Sequence, residues 1–165
     1  MAIIPRLLFV LVLIVAPIVV YATSAGLPER VATHFGPGGV ANGWMHHETY
    51  LAFMLAMTTL LPLFVVAMTG FFPRIAVSQI KIANREHWLA PSRRAETLAW
   101  LTSHASWLGI VLSLFLVGMH VLLVQANAVR PARLDEPMFF MLLAAFVALL
   151  FAWIVTMTLR FRRAL

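Results

Sequence analysis

Four long runs of apolar residues, separated by short polar segments, dominate the chain. The stretches without Asp, Glu, Lys or Arg extend over residues 7–28, 49–73, 97–129 and 137–159. Each is longer than the roughly 20 residues that a helix needs to cross the hydrocarbon core of a bilayer. Because lipid offers the backbone no hydrogen-bonding partners, a helix is the expected form of each run. The pattern predicts an all-α fold, a four-helix transmembrane bundle.

The polar segments between the runs divide this bundle into spans and loops. We place the spans near residues 6–25, 50–72, 98–125 and 137–159, the outer loop at 26–49 and the inner loop at 73–97, all in a single membrane domain, 1–165. The inner loop mixes Ile80, Trp88 and Leu89 with several basic residues. This composition predicts an interfacial segment on the membrane surface.

The third span is the most polar of the four, and two acidic residues precede the fourth span. In the third span, small and polar residues recur at helical spacing on one stripe: Thr102, Ser106, Gly109, Ser113 and His120. Such a stripe is typical of a helix-packing seam, although it would also suit homo-oligomerisation. His104 lies off this stripe, and we expect it to bond to a neighbouring helix. Asp135 and Glu136 precede Pro137 and are interpreted as the N-terminal cap of the fourth span.

The composition is that of a membrane protein, and the positions of the basic residues predict its orientation. The chain is 62% hydrophobic and 11% charged, with a mean hydropathy of +0.94 and a formal charge of +6. Nine basic residues lie on the side of the two termini: Arg6, Arg74, Lys81, Arg85, Arg93, Arg94, Arg160, Arg162 and Arg163. Arg30, Arg130 and Arg133 lie on the other side. The positive-inside rule therefore predicts cytoplasmic termini, and the charge does not indicate nucleic-acid binding.

The outer loop has the most informative sequence in the chain. Pro37, Gly38 and Gly39 predict a turn, and Asn42-Gly43 is a second turn signal. Trp44 stands where an interfacial aromatic anchor is expected. We expect a compact loop that is pressed onto the bilayer surface.

This loop resembles the small domain of unknown function at the N-terminus of SdpI-type bacterial membrane proteins. The resemblance covers roughly residues 10–70 and depends on Leu27-Pro28, Thr33-His34-Phe35, Gly36 to Gly39, Asn42 and Trp44. It implies a bacterial cytoplasmic membrane protein and, for SdpI-type members, immunity to a secreted peptide toxin and signalling to a repressor. This chain lacks the additional C-terminal domain of SdpI itself, which puts both roles in doubt.

Histidines near the outer face raise a second possibility. A metal site could be built from His34, His46, His47, Glu48 and His120. Imidazole and carboxylate are suitable ligands for a divalent transition metal in a chain without cysteine. Structural histidines are the alternative, and for His34 we prefer a role in fixing the loop, with ligand contact as the competitor.

Two classes of function therefore remain open. The first is a non-enzymatic protein whose outer loop recognises a peptide, a lipid or a larger membrane complex, with His34, Phe35, Asn42 and Trp44 as the recognition residues. In that class the chain could serve in immunity, in signalling or as an accessory subunit beside a membrane-protein partner. The second is a metal-binding membrane protein or small metalloenzyme. Nothing in the sequence demands an enzyme, because Ser103, His104 and Ser106 have no nearby acid.

Overall fold

Four long helices form the protein, and the computed structural model describes residues 3–162. The helices are α1 (Ile4–Ser24), α2 (His47–Ile75), α3 (Arg94–Ala128) and α4 (Glu136–Arg162). Each is long and apolar enough to cross a membrane. The predicted all-α four-helix bundle is confirmed, and the chain is a multi-pass membrane protein. Arg163, one of the basic residues in the charge count, lies outside the described residues.

Helix α3 lies at the centre of the bundle and packs against the other three helices. Its small residues permit close approach: a Cβ atom built on Gly109 would lie 2.5 Å from both Phe9 of α1 and Val66 of α2. Ser106, Ser113 and His120 are buried on the same side of α3. The predicted packing seam is confirmed, and it lies within one chain.

Helix α4 is peripheral. Among the spanning helices it packs chiefly on α3, and Phe161 is the one buried residue among those described in α4. The rest of its surface is available to lipid. This arrangement leaves grooves along α3 on both sides of α4.

The outer loop folds as a β-hairpin, which the helix-dominated pattern did not predict. Strands β1 (Arg30–Phe35) and β2 (Ala41–His46) pair antiparallel around a turn at Pro37–Gly39. Gly38 and Gly39 have positive φ, at 77° and 72°, which confirms the first predicted turn. The second predicted turn is wrong, because Asn42 and Gly43 lie inside β2, where Gly43 pairs with His34. We call this end of the bundle the hairpin end.

The opposite end of the bundle, where α1 begins and α4 ends, is called the basic end. Its connecting segment has only short helical turns, at Val77–Gln79 and Arg85–Trp88. Ile80 and Leu89 of this segment are buried in one cluster with Leu101 and Phe161. The connection is therefore held against the bundle by its apolar residues instead of forming one continuous surface helix.

Candidate functional site

The hairpin turn is clamped to the connection between α3 and α4. Gly38 donates its N–H to Glu136 Oε1 at 2.9 Å, and Arg133 Nε donates to Gly38 O at 3.0 Å. Leu134 N–H donates to Gly39 O at 2.8 Å. A Cβ atom on Gly39 would collide with Leu134 O, so this approach requires glycine as well as its positive φ. The two outer connections form one hydrogen-bonded unit.

A single amide fixes the hairpin to α3. Asn127 Oδ1 accepts from Ala32 N at 2.8 Å, and its Nδ2 donates to Ala32 O at 2.9 Å and to Leu123 O at 2.8 Å. Both Ala32 and Asn127 are buried. The side chain therefore pairs with the open edge of β1 as a neighbouring strand would, and buried backbone groups of this kind need such partners.

Beneath the hairpin, His120 joins α3 to α1 and α2 through two short hydrogen bonds. Its Nε2 lies 2.7 Å from Thr23 Oγ1, and its Nδ1 lies 2.8 Å from the Tyr50 hydroxyl. The Thr23 hydroxyl also lies 2.7 Å from Val19 O, which can only accept. If Thr23 donates to Val19, His120 donates through Nε2–H and accepts from Tyr50 at Nδ1. This assignment gives all three side chains a partner.

A cavity of about 410 Å³ opens beside this unit, between the hairpin, α3 and the first turns of α4. Its lining is mostly apolar: Thr33, His34, Phe35, Gly36, Pro37, Met119, Leu123, Leu134, Glu136, Phe139 and Phe140. Phe140 is 60% exposed, so the cavity reaches the lipid-facing surface of α4. We call it the hairpin-end cavity.

Two titratable side chains, Glu136 and His34, line the hairpin-end cavity. Glu136 is half-buried and accepts one backbone hydrogen bond, and no basic side chain within residues 3–162 forms an ion pair with it. His34 is exposed, and its Cβ lies close over Gly43, where an added Cβ would approach it to 2.8 Å. An unpaired carboxylate among apolar walls favours a cationic group with apolar neighbours.

The four predicted recognition residues divide into two groups. His34 and Phe35 line the hairpin-end cavity. Asn42 and Trp44 are exposed on β2 outside its lining, and Trp44 pairs with Ala32. Only the first two therefore line the cavity, while Trp44, which is 49% exposed, has the surface position of an interfacial anchor.

The predicted metal site is not assembled. Within the described part of the chain, no three His, Asp or Glu side chains come together in a group that could hold a metal ion. His120 has both nitrogens engaged by Thr23 and Tyr50. His34 pairs with Gly43, whereas His46 pairs with Arg30, about 13 Å away along β1.

The two remaining predicted metal ligands, His47 and Glu48, also lie apart from a common site. His47 Nδ1 lies 3.3 Å from Leu27 O, at the start of α2, and Glu48 is exposed. The histidines of the outer loop do not converge because the loop forms paired strands. The helix-dominated pattern of the sequence did not predict those strands.

Sequence reasoning missed Asn127 and misread Glu136. Asn127 follows His120 by seven residues, which places it on the same face of α3, so the predicted stripe could have been extended to it. The interpretation as a helix cap holds for Asp135, whose carboxylate accepts from Met138 N at 3.0 Å. Glu136 instead reaches across to the hairpin turn, a contact that no local pattern encodes.

Stacked aromatic rings join α3 to α4 at the basic end, where the Asn84 amide also donates to Phe161 O at 3.0 Å and to Arg162 O at 3.2 Å. His104 is stacked between Trp100 and Trp153, with ring centroids 4.4 and 4.6 Å away. Trp153 Nε1 donates to His104 O at 2.8 Å, and His104 Nε2 lies 3.0 Å from Trp153 O. The expected bond between His104 and a neighbouring helix is confirmed. Arg160 lies over the Trp100 ring and pairs with Glu96 at 3.3 Å.

Comparison with known proteins gives one match. Residues 8–60 match the family described as "Domain of unknown function (DUF1648)". The predicted domain of unknown function is confirmed over these residues. No curated protein and no solved structure matches the chain. The matched region contains Thr23, Ala32, Gly38 and Tyr50, whereas their hydrogen-bond partners lie beyond it: His120, Asn127 and Glu136.

Proposed function

We propose that this protein is a non-enzymatic recognition protein of the bacterial cytoplasmic membrane, which binds a cationic amphipathic peptide in the hairpin-end cavity. The observation that carries the proposal is the Glu136 carboxylate, which has no ion-pair partner within residues 3–162 and lies in a mostly apolar cavity beside His34. A lysine or arginine side chain, or a peptide amino terminus, would neutralise this carboxylate, and adjacent apolar side chains would contact Phe139 and Phe140.

The shape and position of the cavity favour a peptide that arrives along the membrane. Its exposed wall at Phe140 faces the region occupied by lipid, so an amphipathic peptide can enter from the bilayer surface. The clamp between the turn and Glu136 holds the hairpin wall in place, which reduces the ordering cost of binding. By the positive-inside rule the hairpin end faces outward, where a secreted peptide is met.

The resemblance to SdpI-type proteins supports the same choice. Those members confer immunity to a secreted peptide toxin, and the Thr33-His34-Phe35-Gly36 portion of the shared pattern lines the hairpin-end cavity. In this proposal the chain captures such a peptide at the outer face. A lipid is the competing occupant that the following experiment separates from a peptide.

The test uses the full chain in nanodiscs of zwitterionic phosphatidylcholine and a labelled synthetic peptide of Lys and Leu as the probe. We expect saturable binding by fluorescence anisotropy. Glu136→Gln should raise Kd about tenfold, because it removes a charged partner while it keeps an oxygen that can accept from Gly38 N.

Glu48→Gln is the matched control, since it removes the same charge from an exposed residue that does not line the cavity. It should leave Kd unchanged. Equal loss of binding in both variants would indicate attraction to the whole outer surface and would overturn the proposal, as would binding that is unchanged by Glu136→Gln. Competition by phosphatidylethanolamine with the same dependence on Glu136 would assign the cavity to lipid.

A further inference from the structure

A second cavity, of about 270 Å³, lies at the basic end, on α3 between the inner part of α2 and α4. The residues that line it are Met68, Thr69, Phe72, Pro73, Ala76, Gln79, Ile80, Lys81, Ile82, Leu101, His104, Trp153 and Met157. Met68 and Phe72 are each 45% exposed, so the cavity has a rim at the lipid-facing surface. We call it the basic-end cavity.

The backbone of α2 explains why space remains here. The helix widens into a π-helical turn at Ala67–Phe71, followed by Pro73, and Gly70 of this turn packs closely on Thr102 and Ala105 of α3. This contact directs the end of α2 toward one side of α3. Helix α4 packs chiefly on α3, so a gap remains between α2 and α4. The segment containing Gln79 to Ile82 covers this gap at the basic end of the bundle.

The charge of the basic-end cavity is opposite to that of the hairpin-end cavity. Lys81 is the one charged residue in its lining, and it has no hydrogen-bond or ion-pair partner within residues 3–162. The acid at this end that does form an ion pair, Glu96, is bonded to Arg160. A long apolar wall that ends at an unpaired ammonium group matches a molecule with a hydrocarbon chain and an anionic head.

We infer that the basic-end cavity binds an anionic phospholipid. The Lys81 ammonium group receives the phosphate of the headgroup, and an acyl chain lies against Leu101 and Met157 and leaves past Phe72 into the bilayer. This site is independent of the proposed peptide site. It is also more specific than the general attraction between basic residues and anionic membranes, because it joins one lysine to a defined apolar cavity.

Native mass spectrometry of the full chain, released from mixed micelles of phosphatidylglycerol and phosphatidylcholine, tests the assignment. We expect one phosphatidylglycerol molecule to be retained in preference to phosphatidylcholine. Lys81→Gln should reduce that preference about fivefold, which corresponds to one basic residue at an anionic headgroup. Lys81 is exposed, so the substitution leaves the buried contacts intact.

Arg162→Gln is the matched control, because Arg162 is exposed at the same end of the bundle and does not line the cavity. It should keep the wild-type preference. Equal losses in both variants, or an unchanged preference in Lys81→Gln, would overturn the assignment. Displacement of the lipid by glycerol phosphate, which has no acyl chain, would also contradict it.

Discussion

The two ends of this bundle each have a cavity beside α4, but they differ in charge and in how the chain around them is held. At the hairpin end, the Asn127 amide fixes the backbone of β1 and His120 bonds side chains of α1 and α2, and the cavity contains an acid without an ion-pair partner among residues 3–162. At the basic end, stacked rings of Trp100, His104 and Trp153 join α3 to α4, and the cavity contains a lysine without an ion-pair partner in the described part of the chain.

Hydrogen bonds depend steeply on distance and angle, so they specify one arrangement of the hairpin. Aromatic rings pack in offset-stacked or edge-to-face arrangements over a range of centroid distances, so ring contacts define a geometry less narrowly. Near the hairpin-end cavity, hydrogen bonds therefore specify the backbone arrangement, whereas ring stacking takes a larger share in joining α3 to α4 near the basic-end cavity.

The largest expected effect is that of Asn127→Ala. The substitution removes both partners of Ala32 and leaves a buried N–H and a buried C=O unsatisfied. We expect the free energy of unfolding to fall by about 2 to 3 kcal/mol, measured by circular dichroism in mixed micelles of dodecyl maltoside and SDS.

Asn42→Ala serves as the control for this prediction. Asn42 is exposed on the same hairpin, and its loss should change the free energy of unfolding by less than about 0.5 kcal/mol. Similar effects of the two substitutions would mean that Asn127 does not fix the hairpin by its hydrogen bonds.

A smaller effect is expected at the basic end from Trp153→Phe. Phenylalanine retains a ring that can stack on His104 but loses the Nε1–H bond to His104 O. The free energy of unfolding in the same micelles should fall by about 1 kcal/mol. Trp107→Phe, at a 46% exposed position of α3, should have almost no effect. If Trp153→Phe lowered the free energy of unfolding as much as Asn127→Ala does, the contrast between the two ends would disappear.

The helices could be predicted from sequence because membrane burial imposes a strong and simple pattern. Each apolar run became a spanning helix, and the stripe of small residues on α3 became the packing seam around Gly109. The hairpin could not be predicted in the same way. Its six-residue strands have no strict alternation of apolar and polar residues, and β1 is stabilised by a side chain from α3, 95 residues away.

Only the part of the candidate site that belongs to a local sequence motif could be predicted. His34 and Phe35 belong to the Thr-His-Phe motif, and both line the hairpin-end cavity. Glu136 and Asn127 act through contacts across more than 90 residues, which spacing along the chain does not reveal. The alternative histidine site is not assembled because strand pairing separates His34 from His46, and spacing along the chain does not reveal this separation.

Site-specific photo-crosslinking tests the central claim most directly. A benzoylphenylalanine is placed at Phe140, inside the hairpin-end cavity, or at Phe151, an equally exposed residue of α4 that does not line the cavity. With the Lys and Leu peptide in phosphatidylcholine nanodiscs, the account predicts an adduct at residue 140 that Glu136→Gln suppresses, and only background at residue 151. Equal adducts at both positions, or an adduct at 140 that is insensitive to Glu136→Gln, would contradict it.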